Sequence, residues 1–294
     1  MGRSDLLRYN QGKLTLNIDN FHEVVYMKKG MYDYQFFNIC FLNNVFSFII
    51  SSLVERKIPR IDVINKNGEN IWECFFRQPF EQIDVNNMQV SISEENIVQA
   101  FPSFDEIYKK RSIDLWGKMY EDFFVLKTDT KAYIDNEVKQ IIKGEKVLGV
   151  LCRGTDYTDC KPKGHPIQPE IENVLNLVEE KRKELGYEYI YLATEDGRID
   201  KMFRERFQSK ILTNKRMYYD NIFDDNKLQW LQDVHFERKD DEYWKGLEYL
   251  SSLVILSKCN ALIAGNCGGS QAAVFLNKGK YDYTYIYNLG IYGE

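Results

Sequence analysis

Apolar residues fall along the chain in two rhythms, and their succession predicts an α/β protein. In the first half, Glu23-Val24-Val25-Tyr26-Met27 reads as a strand, and Asn43 or Asn44 is placed to cap a helix that runs to about Arg56. A second strand is expected over Arg60-Ile61-Asp62-Val63-Ile64. The apolar runs of this β-α-β succession lack clean alternation, which points to parallel strands covered on both faces. From Phe104 to about Lys143 the residues are charged and aromatic at helical spacing, so helices bridging two lobes are predicted there, with a boundary near Gly144.

The second half has the clearer rhythm. Lys146-Val147-Leu148-Gly149-Val150-Leu151 predicts a strand, followed by a loop from Arg153 to Pro166. Ile171, Val174, Leu175 and Val178 then line one helical face, and Gly186 stands where a helix commonly ends. A strand over Tyr189–Ala193, a turn over Thr194–Gly197 and a helix from Ile199 to Phe207 come next. Lys210–Thr213 continues the alternation, and a polar loop leads to a nearly all-apolar helix, Leu247 to Leu256. Strand Ala261–Ala264, the loop Gly265 to Gly269 and a helix from Ser270 complete it. Ligands of such sheets sit beyond the carboxyl ends of the strands, so the loops at 153–166, 194–198 and 265–271 should share one rim.

Composition narrows the function classes. At 294 residues two domains are expected, 1–144 and 145–294. The net charge of −5 leaves no chain-wide basic field for nucleic acid or an anionic membrane, so an anionic ligand must be held by a local site. Aromatics at 14% supply large core side chains more often than carbohydrate stacking surfaces. None of the six cysteines pairs at zinc-site spacing, so no metal is expected. A polar start with no secretory leader points to a reducing cytoplasm and free, mostly buried thiols. The strongest apolar run, Val45 to Val54, is too short to span a bilayer and reads as a buried helix.

Within that frame Arg153-Gly154-Thr155-Asp156 follows directly on a strand, where a guanidinium can grip phosphate oxygens through paired charged hydrogen bonds. The same four residues fit a loop-closing salt bridge between Arg153 and Asp156 equally well. Gly265-Asn266-Cys267-Gly268-Gly269-Ser270-Gln271 also follows a strand and opens a helix, so its N–H groups can hold an anion, with Ser270 a fair N-cap; a structural tight turn explains the glycines as well. Together the two segments form a clamp for a diphosphate leaving group. Thr194, Glu195 and Asp196 offer acceptors to a ribose, a base or a sugar hydroxyl, and equally suit the first turn of the next helix. Asp156, Asp159 and His165 are the candidate general bases, none singled out by spacing, and a lone His beside Pro166 is more often structural.

As an ordered series these motifs resemble the fucosyltransferase superfamily, which includes the α-1,6-fucosyltransferases, the rhizobial nodulation fucosyltransferases and, more distantly, the protein O-fucosyltransferases. Its His-x-Arg-Arg-Thr-Asp motif is similar to Leu151-Cys152-Arg153-Gly154-Thr155-Asp156, and its His-Pro-Ile to His165-Pro166-Ile167. Tyr-Leu-Ala-Thr-Asp-Asp resembles Tyr191-Leu192-Ala193-Thr194-Glu195-Asp196; the Leu-Ser helix end resembles Leu256-Ser257, and Ser-Ser-Gln resembles Gly269-Ser270-Gln271. The resemblance implies a two-lobed GT-B-like fold, GDP-fucose as donor, GDP as product, no cofactor and metal-independent transfer with inversion. Arg153 would bind the β-phosphate, Gly268, Gly269, Ser270 and Gln271 the phosphates, and Thr194 to Asp196 would line the donor cleft. The sequence departs from the pattern at Leu151 for His, Gly154 for the second Arg, and Ser252 for an Asp.

Asn70-Ile71-Trp72-Glu73 and the tail from Tyr285 to Gly293 resemble bacterial surface-polysaccharide transferases, which implies a surface or capsular glycan acceptor. A cytoplasmic enzyme is then expected, with room for peripheral association with a lipid-linked acceptor at the inner membrane face. A non-catalytic relative that binds a glycan or a partner enzyme is the alternative.

Overall fold

Val24, Val25 and Met27 are buried in strand β1 (Glu23–Met27), which lies at the centre of a three-stranded parallel sheet ordered β2-β1-β3. The computed structural model describes residues 20–93, 104–219 and 231–293, so the chain start and residues 220–230 of the polar loop lie outside it. The chain divides into two units, Met1–Thr130 and Lys131–Glu294.

In the first unit the expected β-α-β succession is present, with shifted boundaries. The helix is Ile39–Val54, and its cap is Asn38, whose side chain accepts from the Phe41 N–H at 2.9 Å, rather than Asn43 or Asn44. Asn44 lies inside the helix and accepts the Met31 N–H at 3.0 Å. Strand β2 is Lys57–Ile61, earlier than expected, and pairs Pro59 with Val25. Proline supplies no N–H, which an edge strand tolerates. Strand β3 (Gln89–Ile92) was not foreseen; it is short, and its alternating Val90 and Ile92 are exposed. The aromatics serve as core: Trp72 stacks on Phe76 at 4.4 Å, and Phe37 meets Phe41, Phe75 and Phe76. The region beyond Phe104 is helical as expected, in three pieces, Phe104–Ile107, Lys110–Phe123 and Thr128–Ile141.

The second unit holds a five-stranded parallel sheet ordered β6-β5-β4-β7-β8. Its strands are β4 (Val147–Leu151), β5 (Tyr189–Ala193), β6 (Ile211–Leu212), β7 (Ala261–Gly265) and β8 (Tyr283–Tyr287). Helix Ile171–Leu185 buries Val174, Leu175 and Val178 against the sheet and ends at Gly186, which is left-handed at φ 70°. Each fully buried Val, Leu or Phe of this core contributes roughly 1.5–3 kcal/mol relative to exposure. Helix Asp241–Lys258 is longer than its apolar stretch, because Asp241 and Glu242 at its start and Lys258 at its end complement the helix dipole. Strand β8, in the tyrosine-rich tail, was not foreseen.

Chain order fixes where a ligand fits. From β4 the chain winds outward through β5 to β6, then crosses back to place β7 on the other side of β4. Leu151 at the end of β4 is in register with Ala193 on one side and Ala264 on the other. The loops after β4, β5 and β7 therefore share one rim, with the switch in strand order between β4 and β7. All six cysteines are free thiols, of which Cys152, Cys259 and Cys267 are buried. Among the described residues no helix is long and apolar enough to cross a membrane.

Candidate functional site

Just past β4 the chain turns sharply into a short helix, Thr155–Asp159, where the sequence suggested only loop. Thr155 takes φ 41°, a conformation costly for a β-branched residue. The next loop holds it there. Glu195 Oε1 accepts from the Gly154 N–H at 2.8 Å and from the Thr155 hydroxyl at 3.2 Å, and Asp196 Oδ2 accepts the Thr155 N–H at 3.1 Å. Asp196 also caps helix Gly197–Phe207 through the Arg198 N–H at 2.9 Å. Gly154 is required by this packing: a Cβ on it would lie 2.4 Å from Asp196 Oδ2. The space of the second motif arginine is thus already taken by the Asp196 carboxylate.

Arg153 is the cation that follows β4. Its Nη2 donates to Asp156 Oδ1 at 2.7 Å, and its Nε lies 3.5 Å from Glu195 Oε1 without forming a hydrogen bond. The side chain is only 16% exposed. Burial works against its charge, but Glu195 and then Asp156 outweigh that and hold its pKa well above the ordinary arginine value. Burial pushes the Asp156 carboxyl up, with Arg153 opposing and Glu195 adding to the rise. Asp196 behaves in the opposite way. Burial would raise it, yet hydrogen bonds from Arg198 and the Thr155 N–H leave its pKa below the ordinary value.

On the other side of the switch point, helix Gly268–Asn277 begins after Cys267, two residues before Ser270. Ser270 is fully buried, and its hydroxyl donates to Cys267 O at 2.8 Å and accepts the Cys267 N–H at 3.1 Å. The Cys267 thiol is pushed up by burial, while Arg153 and the backbone N–H groups of Ser270 and Gly269 counter the rise. Arg153 and this helix start therefore act on one another. Of the glycines in the loop, Gly268 alone is partly exposed. Leu151, in place of the motif histidine, packs under the turn, 3.4 Å from where a Gly269 Cβ would stand.

His165 reaches the same rim. Its Nδ1 lies 3.3 Å from Lys163 O, a carbonyl that can only accept, so a hydrogen bond there uses the Nδ1-protonated tautomer. The imidazole meets Tyr157 edge-on at 5.5 Å, and the Arg153 guanidinium lies over the same Tyr157 ring at 4.6 Å. Asp159 is exposed and pairs with Arg198 at 2.9 Å, and Arg198 also grips Asp196 at 2.6 Å.

Arg153, Asp156, Glu195, Asp196, His165 and the 267–270 turn are thus brought together, with Asp159 joined through Arg198. Glu195 and Asp196 face the Arg153 loop and hold its backbone. Thr194 is buried and accepts the Asp196 N–H at 3.2 Å, while Gln271, also buried, has its Nε2 3.5 Å from Asn266 Oδ1. Ser252 lies in the core, its hydroxyl within bonding distance of Asn214 Oδ1 and Glu248 O. Sequence reasoning missed Tyr157, Arg198 and Gln168. Arg153 lies before the short helix that carries Tyr157, so their contact is made by the turn at Gly154 and Thr155 and left no periodic signal in the sequence. Among the described residues no cluster of His, Cys, Asp or Glu is arranged to hold a metal ion.

No family profile and no curated protein matches the sequence. Solved structures do match. The selenomethionine form of the fucosyltransferase NodZ from Bradyrhizobium is 13% identical with a TM-score of 0.51, over 93% of this chain and 97% of that one. NodZ α-1,6-fucosyltransferase soaked with GDP-fucose is 14% identical with a TM-score of 0.48, over 87% of this chain and 92% of that one. POFUT1 in complex with GDP-fucose is 10% identical with a TM-score of 0.44, over 92% and 98%. The chain is an α/β protein of the GT-B-like class, with the fold of the fucosyltransferase NodZ.

Proposed function

We propose that this chain is an inverting, metal-independent glycosyltransferase that moves fucose from GDP-fucose to a hydroxyl of a bacterial surface or capsular glycan. The observation that carries this reading is Arg153: a mostly buried, charged guanidinium whose Nε makes no hydrogen bond, placed at the switch point beside the start of helix Gly268–Asn277. The ordered motifs and the fold shared with a fucosyltransferase support fucose as the sugar. The bacterial acceptor, and a cytoplasmic enzyme working on a lipid-linked glycan at the inner membrane face, rest on the resemblance around residues 70–73 and 285–293.

In this reaction the acceptor oxygen attacks the anomeric carbon in line as the bond to the β-phosphate breaks, and the electron pair leaves with GDP. One displacement inverts the anomeric carbon. Arg153 and the partly exposed backbone at Gly268 stabilise the charge that develops on the leaving phosphate. Since Asp156 and Glu195 already balance Arg153, the phosphate is met by aimed N–H groups more than by net positive charge. His165 accepts the acceptor's proton.

The test is isothermal titration with GDP, GDP-fucose, UDP and TDP, on the parent and Arg153→Ala. The reading requires GDP to bind in preference to UDP and TDP, and Arg153→Ala to weaken it. Equal GDP binding by the two proteins would overturn it. Release of free fucose from GDP-fucose separates an enzyme from a non-catalytic binding relative, and turnover in EDTA tests metal independence.

A further inference from the structure

The Tyr157 side chain touches both Arg153 and the candidate base His165. Its ring lies 4.6 Å from the Arg153 guanidinium carbon on one side and 5.5 Å from the His165 ring on another, the latter pair at 87°. Both neighbours are fastened independently of it. Arg153 is tied to Asp156 at 2.7 Å. The His165 loop is bound to the C-terminal tail: the Tyr292 N–H donates to His165 O, the Gly164 N–H to Tyr292 O and the Ile167 N–H to Gly290 O, each at 2.9 Å. Gly290, at φ 92°, provides the turn that tail needs. From the other side Gln168 Nε2 donates to Pro166 O at 3.1 Å and to Asn266 O at 2.9 Å, and the Asn266 N–H reaches Tyr287 O at 3.2 Å. The loop after β4, the loop after β7 and the tail therefore make one frame, which Tyr157 spans.

We propose that Tyr157 is a positioning residue that sets the plane of the Arg153 guanidinium and the orientation of the His165 imidazole together. The inference rests on the function proposed above. Among the described residues Asp156 makes the one hydrogen bond to the guanidinium and Glu195 pairs with it at 3.5 Å, which holds its charge but leaves its plane free to turn about the Asp156 bond. The ring face beneath it fixes its aim. The same ring sets the orientation of the His165 imidazole, so support of the leaving group and uptake of the proton depend on one side chain acting through two others.

The experiment compares the full chain with Tyr157→Leu and Tyr157→Phe by three measurements. These are the His165 ring-proton shift in a ¹H–¹³C spectrum, the GDP affinity, and kcat and KM for GDP-fucose. The protein has 3 histidines, so His165→Asn assigns the signal. Leucine is expected to move the His165 signal and to lower GDP affinity and kcat about tenfold each, a loss between that of an exposed and a fully desolvated cation–π contact. Phenylalanine, which keeps the ring face, is expected to restore the signal and both constants. The proposal is overturned if leucine leaves the His165 signal and kcat at parent values, or if leucine lowers thermal stability alone. If the parent neither binds GDP nor turns over GDP-fucose, the proposed function fails, whereas the spectrum still decides whether Tyr157 orients His165.

Discussion

Replacing Gly154 by alanine puts a methyl group where Asp196 already stands. The new Cβ would lie 2.4 Å from Asp196 Oδ2, 2.6 Å from its Cβ and 2.8 Å from its Cγ, all well inside the roughly 3.5–4.0 Å of a favourable carbon contact. Asp196 has no slack to yield, because its carboxylate caps helix Gly197–Phe207 and accepts the Thr155 N–H. Either the cap is lost or the Arg153 loop lifts off Glu195, breaking the 2.8 Å bond from the Gly154 N–H. A lost cap costs about 1 kcal/mol and overpacking about 1–3 kcal/mol, so the variant should lose about 2–4 kcal/mol. For a unit of this size that corresponds to a fall in Tm of about 5–15 °C. Thermal unfolding followed by circular dichroism, with GDP titration of the folded variant, measures both consequences: a lower Tm, and weaker GDP binding because Arg153 is the next residue. Gly154→Arg, which restores the motif arginine, should be worse than alanine in both. An alanine variant that melts with the parent and binds GDP equally well would refute the packing described for this turn.

The other predictions concern the same rim. Arg153→Met leaves Asp156 and Glu195 buried without their cation, which should cost about 3–5 kcal/mol in urea unfolding and abolish measurable GDP binding. Ser270→Ala removes both bonds to Cys267 and should cost about 0.5–2 kcal/mol; a loss of GDP affinity larger than the loss of stability would show that the hydroxyl leaves Cys267 for the ligand. Asp196 has a folded pKa below its ordinary 3.8, so folding favours its charged form. Its contribution is complete above the unfolded value and disappears as pH falls through the lower folded one. Asp196→Asn should therefore be less stable than the parent at neutral pH, and the two stability curves should converge below pH 3.8.

Much of this fold is local in origin, and so could be read along the chain. The apolar runs at 147–151, 189–193 and 261–264 need burial on both faces, and the four-residue spacing of Val174 and Val178 needs one buried face; each requirement is set by neighbours in sequence. The rim followed from them, since parallel strands joined by helices must expose their carboxyl ends together. Boundaries were harder wherever a distant partner made a local cost acceptable. Pro59 sits in a strand because β2 is an edge, and Thr155 sits at φ 41° because Glu195 and Asp196 hold it from another loop. Edge strands β3 and β8 left little trace, because they are short and their Val, Ile and Tyr side chains stay exposed or half-buried.

The residue types of the site were fixed by sequence: an arginine after a strand, a glycine turn before a helix, two acidic residues at a third strand end. Their division of labour was decided by tertiary packing. Glu195 and Asp196 turn inward to brace the Arg153 loop, Ser270 closes its own helix start, and Gly154 is small because a carboxylate 42 residues further on occupies the space beside it. Tyr157 acquires its contacts with Arg153 and His165 only when the short helix and the C-terminal tail bring those two groups to one ring. Hydrophobic period is a one-dimensional property, which a sequence carries in full, whereas the use of a polar side chain depends on which partner the fold brings within hydrogen-bonding distance.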